Sequence, residues 1–351
     1  MKKWEENIRK VEPYVPGEQP QKKVIKLNTN ENPYPPAPGV AKALNSMDTD
    51  ELRKYPDPTS ESLVCEMAKF YGVKKEQVFV GVGSDDVLAM SFLTFFNSGK
   101  PILFPDLTYS FYKVWAELFG IPYECPKLDK DFRIQRQDYY KENGGIIFPN
   151  PNAPTGIYEN LDFVEDILKH NEDVIVIVDE AYIDFAGPSA VLLLEKYDNL
   201  LVVQTFSKAR SMAGMRIGYA IGNERLIRYL NDVKYSFNSY TMSRAALLAG
   251  VESVRDRSYF EKTTEEIIKT REWAKGEFLR LGFSFPDSKA NFLFVTHPDH
   301  EAKEIFEKLK ECDVYVRYFG GERTGRYLRV SIGTKEEMEK LFDALGRILT
   351  R

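Results

Sequence analysis

Five consecutive β-branched residues, Val174-Ile175-Val176-Ile177-Val178, run into an acidic pair, Asp179-Glu180. A half-exposed strand alternates apolar and polar side chains, whereas a strand with no polar position is buried on both faces. That is the habit of a parallel sheet covered by helices on each side. The surrounding sequence repeats the theme. Apolar strands at 78–80, 102–104, 146–148 and 200–204 are interleaved with helical patterns at 60–71, 87–96, the aromatic stretch ending at Phe119, and 160–170. Strands separated by helices through residues 78–205 predict an α/β fold with a doubly wound, largely parallel sheet. Ligands of such sheets sit beyond the carboxyl ends of the strands. Gly83, Tyr109, Asn152, Asp179 and Lys208 all fall at that edge.

Beyond Gly222 the pattern turns helical, with one long charged helix predicted over 252–281. Strands follow at 291–295, 314–317 and 327–332, and helices at 300–312 and 335–350. At 351 residues the chain exceeds one typical domain. We read three parts: a Pro-rich arm that joins the small domain (1–45), a large domain (46–250) and a small α+β domain (251–351). A net charge of −5 and the lack of a basic block argue against nucleic acid as a partner. Cys65, Cys125 and Cys312 are scattered and odd in number, which predicts small buried thiols rather than a disulfide frame or a zinc site. Three histidines, His170, His297 and His300, give no metal pattern. With no apolar signal region and no apolar run of membrane length, the expectation is a cytoplasmic protein away from membranes.

The chemistry gathers at the strand ends. Lys208 follows strand 200–204 among small and hydroxyl residues. A lysine screened from water can shed its proton and form a Schiff base with an aldehyde. Ser207 and Arg216 offer a hydroxyl and a guanidinium fork to a phosphate. The glycine turn Gly81-Val82-Gly83, entering a helix, offers the first backbone N–H groups of that helix to an anion, unless Asp85 and Asp86 merely answer the helix dipole. Asp179 is placed to hold a proton on a ring nitrogen, Tyr182 to donate to a ring oxygen, and Tyr109 to stack on a planar ring. Arg317 and Arg329, on neighbouring strands, present two cations to two anionic groups. Each has an ordinary alternative: a solvated lysine, a packing tyrosine, a solvent-facing arginine. A magnesium-binding nucleotide-hydrolase strand would need G-x-x-x-x-G-K-[ST], which is absent.

The motifs NPNAPTG, VDEAY and TFSKARSMAGMRIGY, in this order, resemble the fold-type I pyridoxal-phosphate aminotransferases, class II, whose large domain has a seven-stranded sheet. LNTNENP, RKYPDP, GVGSDD and YVRY…YLRVSIG narrow the resemblance to the histidinol-phosphate aminotransferases. It covers essentially the whole chain. It implies pyridoxal 5'-phosphate carried on Lys208, Asp179 at its ring nitrogen, Tyr182 at its ring oxygen and Tyr109 on its ring. The phosphate would be held by Ser84, Asp85, Ser207, Arg216 and, from the second subunit of a homodimer, Tyr55. Arg329 would anchor the substrate carboxylate and Arg317 the phosphate of histidinol phosphate, with Tyr14 and Asn30 shaping the pocket. The implied reaction passes the amino group of L-histidinol phosphate to 2-oxoglutarate, in histidine biosynthesis. A threonine-phosphate decarboxylase and a broad aromatic-amino-acid aminotransferase are the rival readings. Two positions depart from the family pattern. Ala153 stands where an asparagine is usual, and Asp86 where glutamate is. We expect Asn152 to reach the ring oxygen in place of the missing asparagine, with the Ala153–Pro154 bond cis.

Overall fold

The computed structural model describes residues 2–350. The arm runs without an α-helix to β1 (Ile25–Lys26), and α1 (Pro38–Asn45) and α2 (Glu61–Tyr71) follow. Next come β2 (Val78–Gly81), α3 (Gly83–Phe95), β3 (Ile102–Leu103), α4 (Phe111–Phe119), β4 (Tyr123–Glu124) and β5 (Ile146–Pro149). The chain continues through α5 (Leu161–Lys169), β6 (Val176–Asp179), β7 (Leu200–Thr205), β8 (Gly218–Gly222) and α6 (Glu224–Phe237). The helix α3 starts at Gly83 rather than Val87, so the glycine turn itself forms the first turn of the helix.

Strands β2 to β8 make one seven-stranded sheet in the order β2-β8-β7-β6-β5-β3-β4. All neighbours are parallel except β8, which runs antiparallel to β2 and β7. The β-branched run behaves as its composition requires. Val176 and Val178 face a core shared with α2, α5 and α7 (Arg244–Arg255), while Ile177 faces another shared with α3, α4 and α6. Val176, Ile177 and Val178 are all fully buried.

The remaining elements are α8 (Arg257–Arg280), β9 (Phe292–Val295), α9 (Ala302–Glu311), β10 (Val314–Tyr315), β11 (Arg317–Tyr318), β12 (Leu328–Ser331) and α10 (Lys335–Leu349). Three readings need correction here. The helix predicted over 252–281 is two, because Asp256 leaves helical geometry (φ −86°, ψ 68°) and its carboxylate caps α8 by accepting from the Tyr259 N–H. The strand predicted over 314–317 is split between two sheets: β10 pairs in parallel with β1, and β11 pairs with β12, which pairs in turn with β9. The cysteines are not buried thiols, since Cys125 and Cys312 are exposed and Cys65 half-buried.

The arm is sewn to this C-terminal part. Leu27 belongs to its apolar core, the Leu27 carbonyl accepts from the Ser331 N–H at 2.9 Å, and Tyr315 accepts from the Leu27 N–H at 2.7 Å. By contrast α1 packs on α7. Among the described residues no helix is long and apolar enough to cross a membrane.

Candidate active site

Register alone brings the chemistry together. Pro149, Asp179 and Val203 sit side by side at the carboxyl ends of β5, β6 and β7, and Lys208 lies in the turn after β7. Beyond these ends lies an inner cavity of about 240 Å³ lined by Ser84, Asp85, Tyr109, Asp179, Tyr182, Ser207, Lys208 and Arg216, among others. An outer cavity of about 460 Å³ is lined by Tyr14, Asn30, Arg317 and Arg329. Thr29, Tyr109, Ala153, Tyr182 and Lys208 line both. Two predicted residues are not at the walls. Tyr55 is 78% exposed and stacks on Tyr240 at 4.5 Å. Asn152 is buried away from the cavity.

Asp179 forms the floor. Its carboxylate accepts from the Tyr112 hydroxyl at 2.6 Å and the Ala181 N–H at 3.2 Å. Burial pushes its pKa up to about 6, against the pull of those two donors. The next residue, Glu180, turns into the interior, where Ser189, Gln204 and the Ala190 N–H donate to it; burial pushes its pKa up to about 8. Lys208 Nζ donates to the Thr29 carbonyl at 3.2 Å and lies 5.7 Å from the centre of the Tyr182 ring. Asn32 Nδ2 donates to the carbonyls of Lys208 and Ala209, so the arm also fixes the lysine's own backbone.

At the far end of the inner cavity the α3 amides, Ser207 and Arg216 converge. Close backbone approach makes this cup possible: a Cβ on Gly218 would lie 2.2 Å from the Ser84 nitrogen. Arg216 Nη2 pairs with Asp85 at 3.2 Å, and the other Asp85 oxygen accepts from the Tyr109 hydroxyl at 2.7 Å. Burial and Asp85 together raise the Tyr109 pKa, so that phenol stays a donor.

In the outer cavity Arg329 is half-buried. Its Nη2 donates to the Asn28 carbonyl at 3.1 Å, while its Nε has no partner among the described residues. Arg317 forks onto the Val15 and Pro16 carbonyls at 3.1 and 3.2 Å. Tyr14 stacks on Phe111 at 4.4 Å. Asn30, in the left-handed conformation (φ 56°) that asparagine tolerates, donates through Nδ2 to the Tyr182 hydroxyl at 2.9 Å and accepts from Ser331.

The profile of the aminotransferase class I and II family matches residues 22–345. The chain belongs to that family. A histidinol-phosphate aminotransferase from Clostridium botulinum is 51% identical over 351 residues, covering 100% of this chain and 99% of the relative. One from Pseudomonas fluorescens is 49% identical over 346 residues, covering 98% and 99%. A crystal structure of histidinol-phosphate aminotransferase from Sinorhizobium meliloti, in complex with pyridoxal-5'-phosphate, superposes with a TM-score of 0.84 at 23% identity. That match covers 93% of this chain and 90% of the other, and it shows the shared fold.

The aminotransferase cavity fits the cofactor on its own chemistry. A buried carboxylate bonded only to neutral donors calls for a cationic ring nitrogen, and the cup opposite calls for a phosphate. Asn152 does not take the role expected of it. Its Nδ2 donates to the Leu107 carbonyl and Thr155 Oγ1 and its Oδ1 accepts from Thr108, so its polar atoms are spent holding the turns beneath Tyr109. Ala153, with its peptide to Pro154 cis as expected, faces both cavities instead. Sequence reasoning also missed Tyr112, Thr29 and Asn32. The last two lay within LNTNENP, whose polar density was the available signal. Tyr112 had none, being one aromatic residue in an aromatic helix.

Proposed function

We infer that this aminotransferase moves the amino group of L-histidinol phosphate to 2-oxoglutarate, with pyridoxal 5'-phosphate as carrier, in L-histidine biosynthesis. The observation that carries this reading is the pair of guanidinium groups in the outer cavity, on the far side of Lys208 from the phosphate cup. A substrate with an anion remote from its amine suits that spacing; so does a dicarboxylate in the second half-reaction. Full-length relatives named for the same activity support it.

The cofactor, when bound, supplies a ring that accepts the electron pair left at the substrate's Cα. The protein does the rest. Ser84, Asp85, Ser207 and Arg216 would hold the phosphate, and Tyr109 would stack on the ring. Asp179, ionised, holds a proton at the ring nitrogen. Lys208 Nζ, held between the Thr29 carbonyl and the Tyr182 ring, would take the proton from Cα and return it one position along. Tyr182 donates to the ring oxygen, its own hydroxyl supported by Asn30. Arg329 grips the carboxylate of glutamate or 2-oxoglutarate, and Arg317 meets the phosphate of histidinol phosphate. Tyr14 closes the arm side. The division into an arm (1–45), a large domain (46–250) and a small domain (251–351) belongs to this reading. So do a cytoplasmic site and a homodimer in which Tyr55 completes the neighbour's phosphate cup. The exposed Tyr55–Tyr240 stack supports the dimer.

The test is a pair of variants. Arg317→Leu weakens histidinol phosphate and Arg329→Leu weakens the dicarboxylates, each by about 2–5 kcal/mol for a desolvated ion pair that loses one member. Steady-state kinetics in both half-reactions measure it. Equal losses for both substrates in both variants would mean the roles are wrongly assigned.

A further inference from the structure

The hairpin that joins the two arginine strands is fastened at its tip to the seven-stranded sheet. Residues 319–327 connect β11, which carries Arg317, to β12, which carries Arg329. Midway, Arg323 Nη1 donates to Asp106 Oδ2 at 3.0 Å and Nη2 to the Asp129 carbonyl at 2.7 Å. The other Asp106 oxygen accepts from the Leu128 N–H at 2.9 Å, so the acid is gripped from two sides. Asp106 opens the short segment that ends in Tyr109.

Phe132 completes the contact. Its ring is buried beneath the Arg323 guanidinium, 5.4 Å from its carbon, and edge-on to Phe294 and Tyr327 at 5.8 and 5.3 Å. Its backbone is left-handed, at φ 62°. Residues with a Cβ avoid that conformation unless the surroundings impose it. Here Asp129 imposes it, accepting from the N–H groups of Asp131 and Arg133 at 2.9 Å each.

The two arginines differ in how much they need this fastening. β12 is bonded on both sides, to β9 over four residues and to β11. β11 is a two-residue edge strand whose pairing in its sheet is to β12 alone, with Arg317 opposite Arg329, so the sheet holds Arg329 from both sides and Arg317 from one. We propose that Arg323, seated on Asp106 and Phe132, is a positioning residue for Arg317. The clasp sets how far the outer anion-binding wall stands from Tyr109 and Lys208, and through that distance the affinity for the remote anionic group of the amino donor. The proposal rests on Arg317 being the partner of the histidinol phosphate phosphate group.

Kinetics of the holoenzyme variants Arg323→Ala, Arg323→Lys and Asp106→Asn test it, with Arg317→Leu in parallel. In Arg323→Ala the KM for histidinol phosphate rises about tenfold, as displacement of a positioning group predicts. Its KM for 2-oxoglutarate, its kcat and the absorbance of the bound cofactor stay near those of the wild type. Arg323→Lys, which keeps the charge and loses the fork, falls between, as does Asp106→Asn, and these two decide the matter if the alanine variant does not fold. Equal rises for both substrates would mark the clasp as plain structural glue and overturn the proposal, and so would no rise at all. If Arg317→Leu leaves the KM for histidinol phosphate unchanged, the phosphate assignment fails and takes the clasp's role with it. If Arg317→Leu raises that KM and the Arg323 and Asp106 variants do not, the clasp alone fails.

Discussion

Asp179 meets its neighbours through two neutral donors, the Tyr112 hydroxyl and the Ala181 N–H, so its charge depends on pH within a working range. With its pKa pushed up to about 6 by burial, the cofactor-free protein holds a proton there that the unfolded chain releases near the ordinary value of 3.8. Ionising Asp179 therefore costs the cofactor-free fold stability as pH rises from about 4 to about 6. Over the same window, affinity for a cofactor with a cationic ring nitrogen grows. We predict that the dissociation constant of pyridoxal phosphate rises by up to about tenfold per pH unit below pH 6 and levels off above it, the signature of one linked proton. Asp179→Asn should bind more weakly at pH 8 and lose that dependence; absorbance titrations at several pH values check both. The acid itself was legible, since an apolar strand ending in aspartate stands out. Tyr112, which shares control of its charge, was not. A tyrosine in a stretch with Phe111 and Trp115 looks like packing until the sheet is in place.

Elements were read well where one physical signal decided them and poorly where two competed. The continuous apolar runs gave β5, β6 and β7, because a strand buried on both faces leaves no room for polar residues. The break between α7 and α8 escaped notice because helical periodicity continues across it. The local signal was there: Asp256 precedes Tyr259 by the spacing of an N-cap. Replacing it should show its worth. Asp256→Ala removes the acceptor of the Tyr259 N–H and of the Ser258 hydroxyl, and we predict a loss of about 0.5–2 kcal/mol in urea unfolding. An unchanged midpoint would mean that the turn is held by α7 packing alone. The split of residues 314–317 between two sheets was invisible for a different reason. It depends on β1, nearly three hundred residues earlier, claiming β10 as its partner.

At the scale of the molecule, the sequence told that the apolar strands between residues 78 and 205 would share a sheet, but not that β4 and β8 join them, nor the order of the strands. The antiparallel insertion of β8 between β2 and β7 follows from packing rather than from any short motif. Tyr55, one of the two predicted site residues that line neither cavity, is also where the single chain looks unfinished. It stands exposed beside Tyr240, and Leu52, Phe237 and Leu248 are exposed as well. If Tyr55 serves the neighbour's site, two damaged proteins should repair each other. In a mixed dimer of Lys208→Ala and Tyr55→Ala chains, the lysine of one and the tyrosine of the other meet in a single native site. Activity on mixing should then exceed that of either variant alone; were Tyr55 to serve its own chain, every site would lack one of the two residues and mixing would gain nothing.

The stitching of the arm has a consequence for how the enzyme comes into being. Thr29, Asn30 and Asn32 close one wall of the site, yet they are held there by Ser331, Asn291 and the turn at Lys208, and the strand before them by β10. A ribosome releases the arm before each of those partners, and Ser331 last of them. The nascent chain must therefore carry Asn30 and β1 without these partners until residues 291–331 emerge, and no length of it short of β12 can complete the pocket.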